Sequence, residues 1–179
     1  LYIDGIDDAG NKLEKISIQV NSMAVAYDIA PKENIKAIAD FIFSNPDKVI
    51  QTKNPFFYYY INQMLFKADK AQLALDIMRD KWGEFIEAGY DTWPETWGEW
   101  YVSYCHAYSS TPNIAIASNI MGINPVEPGY KKAVISPLFD LLESTSIEVP
   151  TPNGSISVKC NSKTDYTNIE IIIPNGCKA

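Results

Sequence analysis

The sequence predicts a mainly α chain of antiparallel helix hairpins, followed by a small antiparallel β module. Two observations carry this. Through the first 124 residues, apolar side chains recur at helical spacing behind repeated helix-start signals. After Asn124, prolines stand at 125, 128, 137, 150 and 152, and the apolar period falls from about 3.6 to about 2. The expected domains are 1–124 and 125–179.

Residues 16–29 place Ile16, Val20, Met23, Ala24 and Tyr27 on one stripe, and Pro31 opens a second helix carrying Ile35, Ile38, Ala39 and Ile42. Asn54-Pro55 supplies an N-cap side chain followed by proline at the first helical position, ahead of Phe57, Ile61, Met64, Leu65 and Ala68. Asp69 and Gln72 read as a capping box for a fourth helix bearing Leu73, Ile77, Trp82, Phe85 and Ile86, which Gly89 ends. The expectation is four helices of similar length running up and down. Pro94 and Gly98 break any helix between 90 and 111, which reads as a long structured loop. Thr111-Pro112 opens a last helix with Ile114, Ile116, Ile120 and Met121 apolar, and Gly122 stops it. Beyond it Ile147 and Val149 alternate with polar neighbours, Thr151-Pro152-Asn153-Gly154 suits a β-turn, Ile156, Val158 and Cys160 alternate again, and Ile169–Ile173 adds a strand. Three or four strands make an incomplete sandwich.

The composition is that of an ordinary globular chain: 179 residues, 46% hydrophobic and 21% charged. No apolar run approaches the roughly 18 residues of a membrane span, and the first thirty residues lack signal-peptide grammar. The chain begins with Leu1 and reads as a piece of a longer protein. Three cysteines without Cys-x-x-Cys spacing and a single histidine argue against a closed zinc site, so no metal or other cofactor is expected and free, mostly buried thiols are. A net charge of −7 makes nucleic acid a poor partner.

All four tryptophans, Trp82, Trp93, Trp97 and Trp100, fall within nineteen residues. From Trp82 to Tyr130 there is no Lys or Arg, while Glu84, Glu87, Asp91, Glu95, Glu99 and Glu127 lie there. Carboxylates among indoles suit a neutral polyhydroxylated ligand, that is, a carbohydrate. Glycoside hydrolysis needs two carboxyl groups, held roughly 6.5–9.5 Å apart where the outcome is inversion. Glu95, between Trp93 and Trp97, is the candidate base. The residues alone also admit a solvated loop acid at 95, core-filling indoles and a packing histidine at 106. Trp82 continues the stripe of the fourth helix and reads as core. Ser109 and Ser110 near His106 lack a nucleophile elbow, and Asp4-Gly5 and Ala9-Gly10 lack phosphate-loop spacing.

Several ordered motifs bear a family likeness: Leu-Tyr-Ile-Asp-Gly at 1–5, Ile18-Gln19-Val20-Asn21-Ser22 leading to Ile29-Ala30-Pro31, Asn54-Pro55-Phe56-Phe57, and Arg79-Asp80-Lys81-Trp82 running into Ala88-Gly89. Asp91-Thr92-Trp93-Pro94-Glu95, Tyr104-Cys105-His106-Ala107-Tyr108-Ser109-Ser110, Gly122-Ile123-Asn124-Pro125 and Val149-Pro150-Thr151-Pro152-Asn153-Gly154 extend it over nearly the whole chain. In this order they resemble the family 78 glycoside hydrolases, the bacterial α-L-rhamnosidases.

The resemblance implies the later part of an (α/α)6 barrel of antiparallel helix hairpins, followed by a small, truncated antiparallel β-sandwich. It also implies an inverting α-L-rhamnosidase mechanism. Glu95 matches the glutamate of the family's Thr-Thr-x-Trp-Glu segment and so inherits the general-base role. His106 matches the histidine of Cys-His-Gly/Ala-Trp-Ser and inherits a sugar contact, with Trp93, Trp97, Trp100 and Asp91 as further substrate-binding candidates. Pro94 stands directly before Glu95 where the family has an aromatic. The family's acidic, arginine-bearing motif with the general acid has no counterpart here, so the expected partners are a rhamnoside substrate and an N-terminal part of the same protein. Rival readings are another (α/α)6 glycosidase, a helical scaffold and a non-catalytic carbohydrate binder.

Overall fold

The structure, a computed structural model, describes residues 1–98 and 103–179. It divides into two compact units, Leu1–Pro112 and Asn113–Ala179.

In the first unit, the chain before the first helix doubles back at Asp7, whose carboxylate accepts from the main-chain N–H groups of Ala9 and Asn11. Helix α1, Ile18–Ala26, starts at Ser17, whose hydroxyl accepts from the Val20 N–H. Its inward residues are Ile18, Asn21, Ser22, Ala24 and Val25, while Met23 is exposed and Tyr27 is 61% exposed. The expected stripe is therefore rotated. The cause is Asn21, whose amide donates to the Tyr2 and Ser17 carbonyls and accepts from the Tyr2 N–H, so that a buried polar side chain serves as hydrogen-bonding partner for the N-terminal segment.

A short 3-10 turn, Lys32–Asn34, follows Pro31 and leads into α2, Ile35–Ser44, which buries Ile35, Ile38, Ala39 and Ile42 as the spacing predicts. The Asn54 side chain accepts from the Phe56 N–H at 2.8 Å and opens the 3-10 turn Pro55–Phe57, which continues as α3, Tyr58–Lys67. α3 is the central helix and meets α1, α2 and α4, Ala71–Glu87. At 17 residues α4 is the long one of the four, against 9, 10 and 10, so the expected similarity of length does not hold.

Three helices end in one way. Ile29 N–H bonds back to Ala24, Lys70 N–H to Leu65 and Tyr90 N–H to Phe85, each over a left-handed residue, Asp28, Asp69 or Gly89. Asp69 therefore closes α3 and does not cap α4: the residue before α4 is Lys70, which makes no side-chain cap, and Gln72 bonds to Asp76. Lys67 tightens the end of α1 by donating to the Val25 and Ala26 carbonyls and the Asp28 carboxylate. That contact holds the Asp28 carboxyl below its ordinary value, first through the hydrogen bond and then through the charge. The buried face of α4 is Ala74, Leu75, Met78, Trp82 and Phe85, so Leu73 and Ile77 flank it and Ile86 is 66% exposed.

α5, Thr111–Ile114, starts at the end of the first unit and runs on in the second as a π-helical stretch, Ala115–Ile120. Gly122 at φ 65° stops it, and no other residue fits there, since a Cβ would lie 2.0 Å from the Ser136 carbonyl oxygen. β1, Ile123–Pro125, pairs antiparallel with β2, Ala133–Ile135. β3, Ser144–Thr151, β4, Gly154–Ser162, and β5, Thr167–Ile172, form an antiparallel meander in that order. Pro152 and Asn153 make the tight loop between Thr151 and Gly154. Ile156, Val158 and Cys160 of the central strand are buried and lie opposite Val149, Ile147 and Thr145. Pro150, which has no N–H for a ladder, stands on the edge strand β3, where that lack is tolerated. The three thiols are free as expected, but Cys105 is exposed and Cys177 half-buried, so only Cys160 fits the buried expectation.

Candidate functional site

The stretch between α4 and α5 folds on itself. His106 N–H donates to the Trp93 carbonyl at 2.8 Å, Glu95 N–H to the Ser103 carbonyl at 2.9 Å, and the Thr92 hydroxyl to the Tyr104 carbonyl. Residues 92–95 thus lie antiparallel to 103–106, and Pro94 is buried in the turn so made. Tyr90 and Tyr104 meet at 5.5 Å at the base of the arrangement, in front of Phe85. This ladder fixes the Glu95 main chain. Its side chain turns back to accept from the Ser103 N–H at 3.4 Å.

Beyond His106 the chain makes a 3-10 turn, Ala107–Ser109, beside the turn that opens α3. Two sequence-distant turns thereby bring three rings together. The His106 and Tyr108 rings lie 4.5 Å apart, and the Phe56 ring meets Tyr108 edge-on at 5.7 Å. The Asn54 and Glu95 side chains are the polar groups that act on the titration of the Tyr108 hydroxyl. Burial pushes this phenol above its ordinary value, the Asn54 hydrogen bond opposes that, and the Glu95 charge and hydrogen bond reinforce it. His106 Nδ1 and the Thr96 hydroxyl are buried without a hydrogen-bond partner. A buried, unpaired imidazole nitrogen on a ring that lies against a phenol, in a stretch with no Lys or Arg, makes a neutral hydrogen-bonding group suited to a hydroxyl.

The tryptophans divide. Trp97 packs onto α4 and α3: it stacks on Phe85 at 5.8 Å with planes 3° apart, meets Trp82 at 5.2 Å and Tyr58 at 5.3 Å, and donates Nε1–H to the Lys81 carbonyl at 2.9 Å. The Lys81 ammonium lies 5.1 Å from its ring centre. Trp82 is core, with its Nε1–H on the Ser109 carbonyl at 2.8 Å, and Tyr58 beside it is pushed up to about 12, by burial first and by Asp80 second. Trp93 is half-buried at 6.3 Å from Phe85. Asp91 is exposed at the start of the folded stretch. Glu99 and Trp100 lie outside the described residues.

Of the residues named from sequence, Glu95 and His106 stand on the two facing segments of this ladder, and His106 lies against Tyr108. Tyr108 and Asn54 are the members that sequence reasoning did not single out. Asn54 reads from sequence only as a helix cap. Tyr108 carried a signal: it stands where the rhamnosidase pattern has tryptophan, and both side chains offer one ring and one donor. Among the described residues, no group of three His, Cys, Asp or Glu side chains is arranged to hold a metal ion.

Known proteins match this chain in two ways. Residues 122–179 fit the family model of the bacterial alpha-L-rhamnosidase C-terminal domain. An alpha-L-rhamnosidase of Alteromonas sp. (strain LOR) is 36% identical over 61 residues, 34% of this chain and 7% of that protein. Among solved structures, a GH78 family rhamnosidase of Bacillus sp. GL1 superposes with a TM-score of 0.81 at 25% identity, covering 99% of this chain. The alpha-L-rhamnosidase of Streptomyces avermitilis, solved with L-rhamnose, gives 0.76 at 17% identity over 97% of this chain. The chain spans 21% and 18% of those two structures.

Proposed function

We propose, for a chain related to the family 78 α-L-rhamnosidases, that it supplies the water-activating side of an inverting glycoside hydrolase acting on terminal α-L-rhamnose. In this reading residues 1–124 are the later half of an (α/α)6 barrel and 125–179 belong to the C-terminal β-sandwich. Glu95 is the general base and takes a proton from the water that attacks the anomeric carbon opposite the departing group. The general acid comes from elsewhere in the protein and stands roughly 6.5–9.5 Å from the base, which leaves room for that water.

The observation that carries this is the setting of Glu95. Its carboxylate accepts from the Ser103 N–H at 3.4 Å, its charge acts on the Tyr108 phenol, and the ring of Tyr108 lies against an imidazole whose Nδ1 is buried and unpaired. The Ser103 N–H occupies part of the carboxylate's capacity of about four lone-pair sites and leaves the remainder for a water. His106 Nδ1 would meet a sugar hydroxyl. Trp93 would border the C5 methyl of rhamnose, and Asp91 and Trp100 complete the proposed sugar-binding set; Trp97, expected there from sequence, is taken up in packing on Phe85, Trp82 and Tyr58.

The test is release of nitrophenol from an aryl α-L-rhamnoside by the natural full-length protein. Glu95→Gln should lower kcat by about 10³, within the usual range for a lost general base, while KM changes less than about threefold. An unchanged kcat would remove Glu95 from the mechanism. The 179-residue chain on its own should give no turnover, because this reading places the acid elsewhere.

A further inference from the structure

We propose that a row of aromatic rings leading away from His106 is an oligosaccharide subsite, which carries the neutral sugar chain to which a terminal rhamnose is attached. The inference rests on the rhamnoside reading given above and adds the chemical class of the group that the rhamnose leaves.

The row is continuous with the candidate site. From His106 the ring centres step 4.5 Å to Tyr108, 5.7 Å to Phe56, 5.9 Å to Tyr60 and 5.8 Å to Tyr27. Tyr27 follows α1, Phe56 and Tyr60 belong to the turn that opens α3 and to α3 itself, and Tyr108 lies in the turn after His106, so only folding brings these rings together. They are open to solvent: Tyr27 is 61% and Phe56 39% exposed, and Tyr60, Tyr108 and His106 are half-buried. Contiguous exposed rings of this kind mark a surface that meets something. They are also fixed in place. Asn54 caps the turn that carries Phe56 at 2.8 Å, and Tyr59 backs Tyr60 edge-on at 5.2 Å. A ligand finds the rings already set and loses little freedom of the protein on binding.

Charge and ring orientation select the occupant. Residues 54–66 hold no charged side chain, and the ion pair next to Tyr27, Lys67 with Asp28 at 2.7 Å, is closed on itself, so the ligand is neutral. Tyrosine offers a ring face for the C–H side of a pyranose and a hydroxyl for its hydroxyl groups. The ring planes then separate a jointed ligand from a flat one. They differ by 57° between His106 and Tyr108, 71° between Tyr108 and Phe56, 87° between Phe56 and Tyr60, and 45° between Tyr60 and Tyr27. A rigid planar polyphenol lies on one such face and leaves the others empty. A sugar chain turns at each glycosidic bond and presents a face to each ring in succession.

The test compares chain lengths in the natural full-length protein. With cellotriose ended by α-L-rhamnose, kcat/KM should be about tenfold higher than with glucose ended by α-L-rhamnose, because remote binding energy becomes available. Tyr27→Ala, at the far end of the row, should remove most of that advantage while the thermal midpoint stays within about 2 °C of the unaltered protein. Tyr27→Leu, which keeps apolar bulk without a ring, should do the same. Phe56→Ala, nearer the site, should lower kcat/KM for both substrates. Ile86→Ala, which removes an exposed apolar side chain of α4 outside the row, should leave the advantage intact. Equal kcat/KM for the two lengths, a preference for a planar polyphenol rhamnoside, or an equal loss in Ile86→Ala would overturn the proposal. So would a large fall in the thermal midpoint of Tyr27→Ala with the advantage unchanged, which would mean that other parts of the protein cover the row.

A second readout does not depend on turnover. In calorimetric titration, cellotriose itself should bind the unaltered protein about tenfold more tightly than Tyr27→Ala, and equal binding would overturn the subsite. If that difference appears while no rhamnoside is cleaved, the subsite stands and the rhamnosidase reading fails. If rhamnosides are cleaved through Glu95 at a rate indifferent to chain length, the reading stands and the subsite falls.

Discussion

Trp97 and Tyr108 lie eleven residues apart, each in an aromatic cluster, yet the two clusters do different work. In the first, Trp82, Trp97, Tyr58 and Phe85 pack ring against ring, and both indole N–H groups are engaged by main-chain carbonyls of Ser109 and Lys81. In the second, Phe56, Tyr108 and His106 also pack, but no main-chain carbonyl takes their polar atoms: the Glu95 charge acts on the phenol, and His106 Nδ1 is buried with no partner. An aromatic whose donor is tied to the main chain holds the fold. One whose polar atom faces a carboxylate or an empty position is available to a ligand.

That contrast can be broken by measurement. Glu95→Gln, in the second cluster, should cost about 4 kcal/mol in the activation barrier, a drop in kcat of about 10³, with the unfolding free energy within about 0.5 kcal/mol of the original. A large loss of stability there would move Glu95 into the structural group. Trp97→Ala should do the opposite, lowering the unfolding free energy in urea titration by about 3 kcal/mol, because it removes a ring packed on Phe85, Trp82 and Tyr58. Trp82→Phe, which keeps most of the ring and strands the Ser109 carbonyl, should destabilise by about 1.5 kcal/mol. Smaller again, His106→Phe should leave stability within about 1 kcal/mol, since it removes a buried nitrogen that has no partner, while raising KM for a rhamnoside about tenfold. Equal stability losses in Trp82→Phe and His106→Phe would erase the distinction.

Where apolar period alone decides a face, the sequence was sufficient to find it. The buried stripe of α2, the Asn54-Pro55 start, the Gly89 stop and the β3–β4 hairpin around Pro152-Asn153 are such cases. The face of α1 was not legible, because Asn21 and Ser22 are interior and the hydrogen bonds that make this tolerable involve Tyr2, nineteen residues away. Asp69 misled for a similar reason: an Asp before a helix reads as a cap, whereas here it takes the left-handed position that ends the preceding helix. At the site, the spacing of acids and indoles drew attention to Glu95 and His106. It gave no means of knowing that Trp97 would turn to the Lys81 carbonyl of α4, or that the turns carrying Phe56 and Tyr108 would lie side by side, because each depends on segments far apart in sequence.

The proposed role of Glu95 is tested most directly by supplying the missing nucleophile. In the full-length protein, Glu95→Ala should be nearly inactive on an aryl α-L-rhamnoside, and added azide, which needs no deprotonation, should restore turnover and yield rhamnosyl azide of inverted configuration. Hydrolysis by Glu95→Ala at the original rate, with no azide adduct, would contradict the assignment of Glu95 as the residue that deprotonates water.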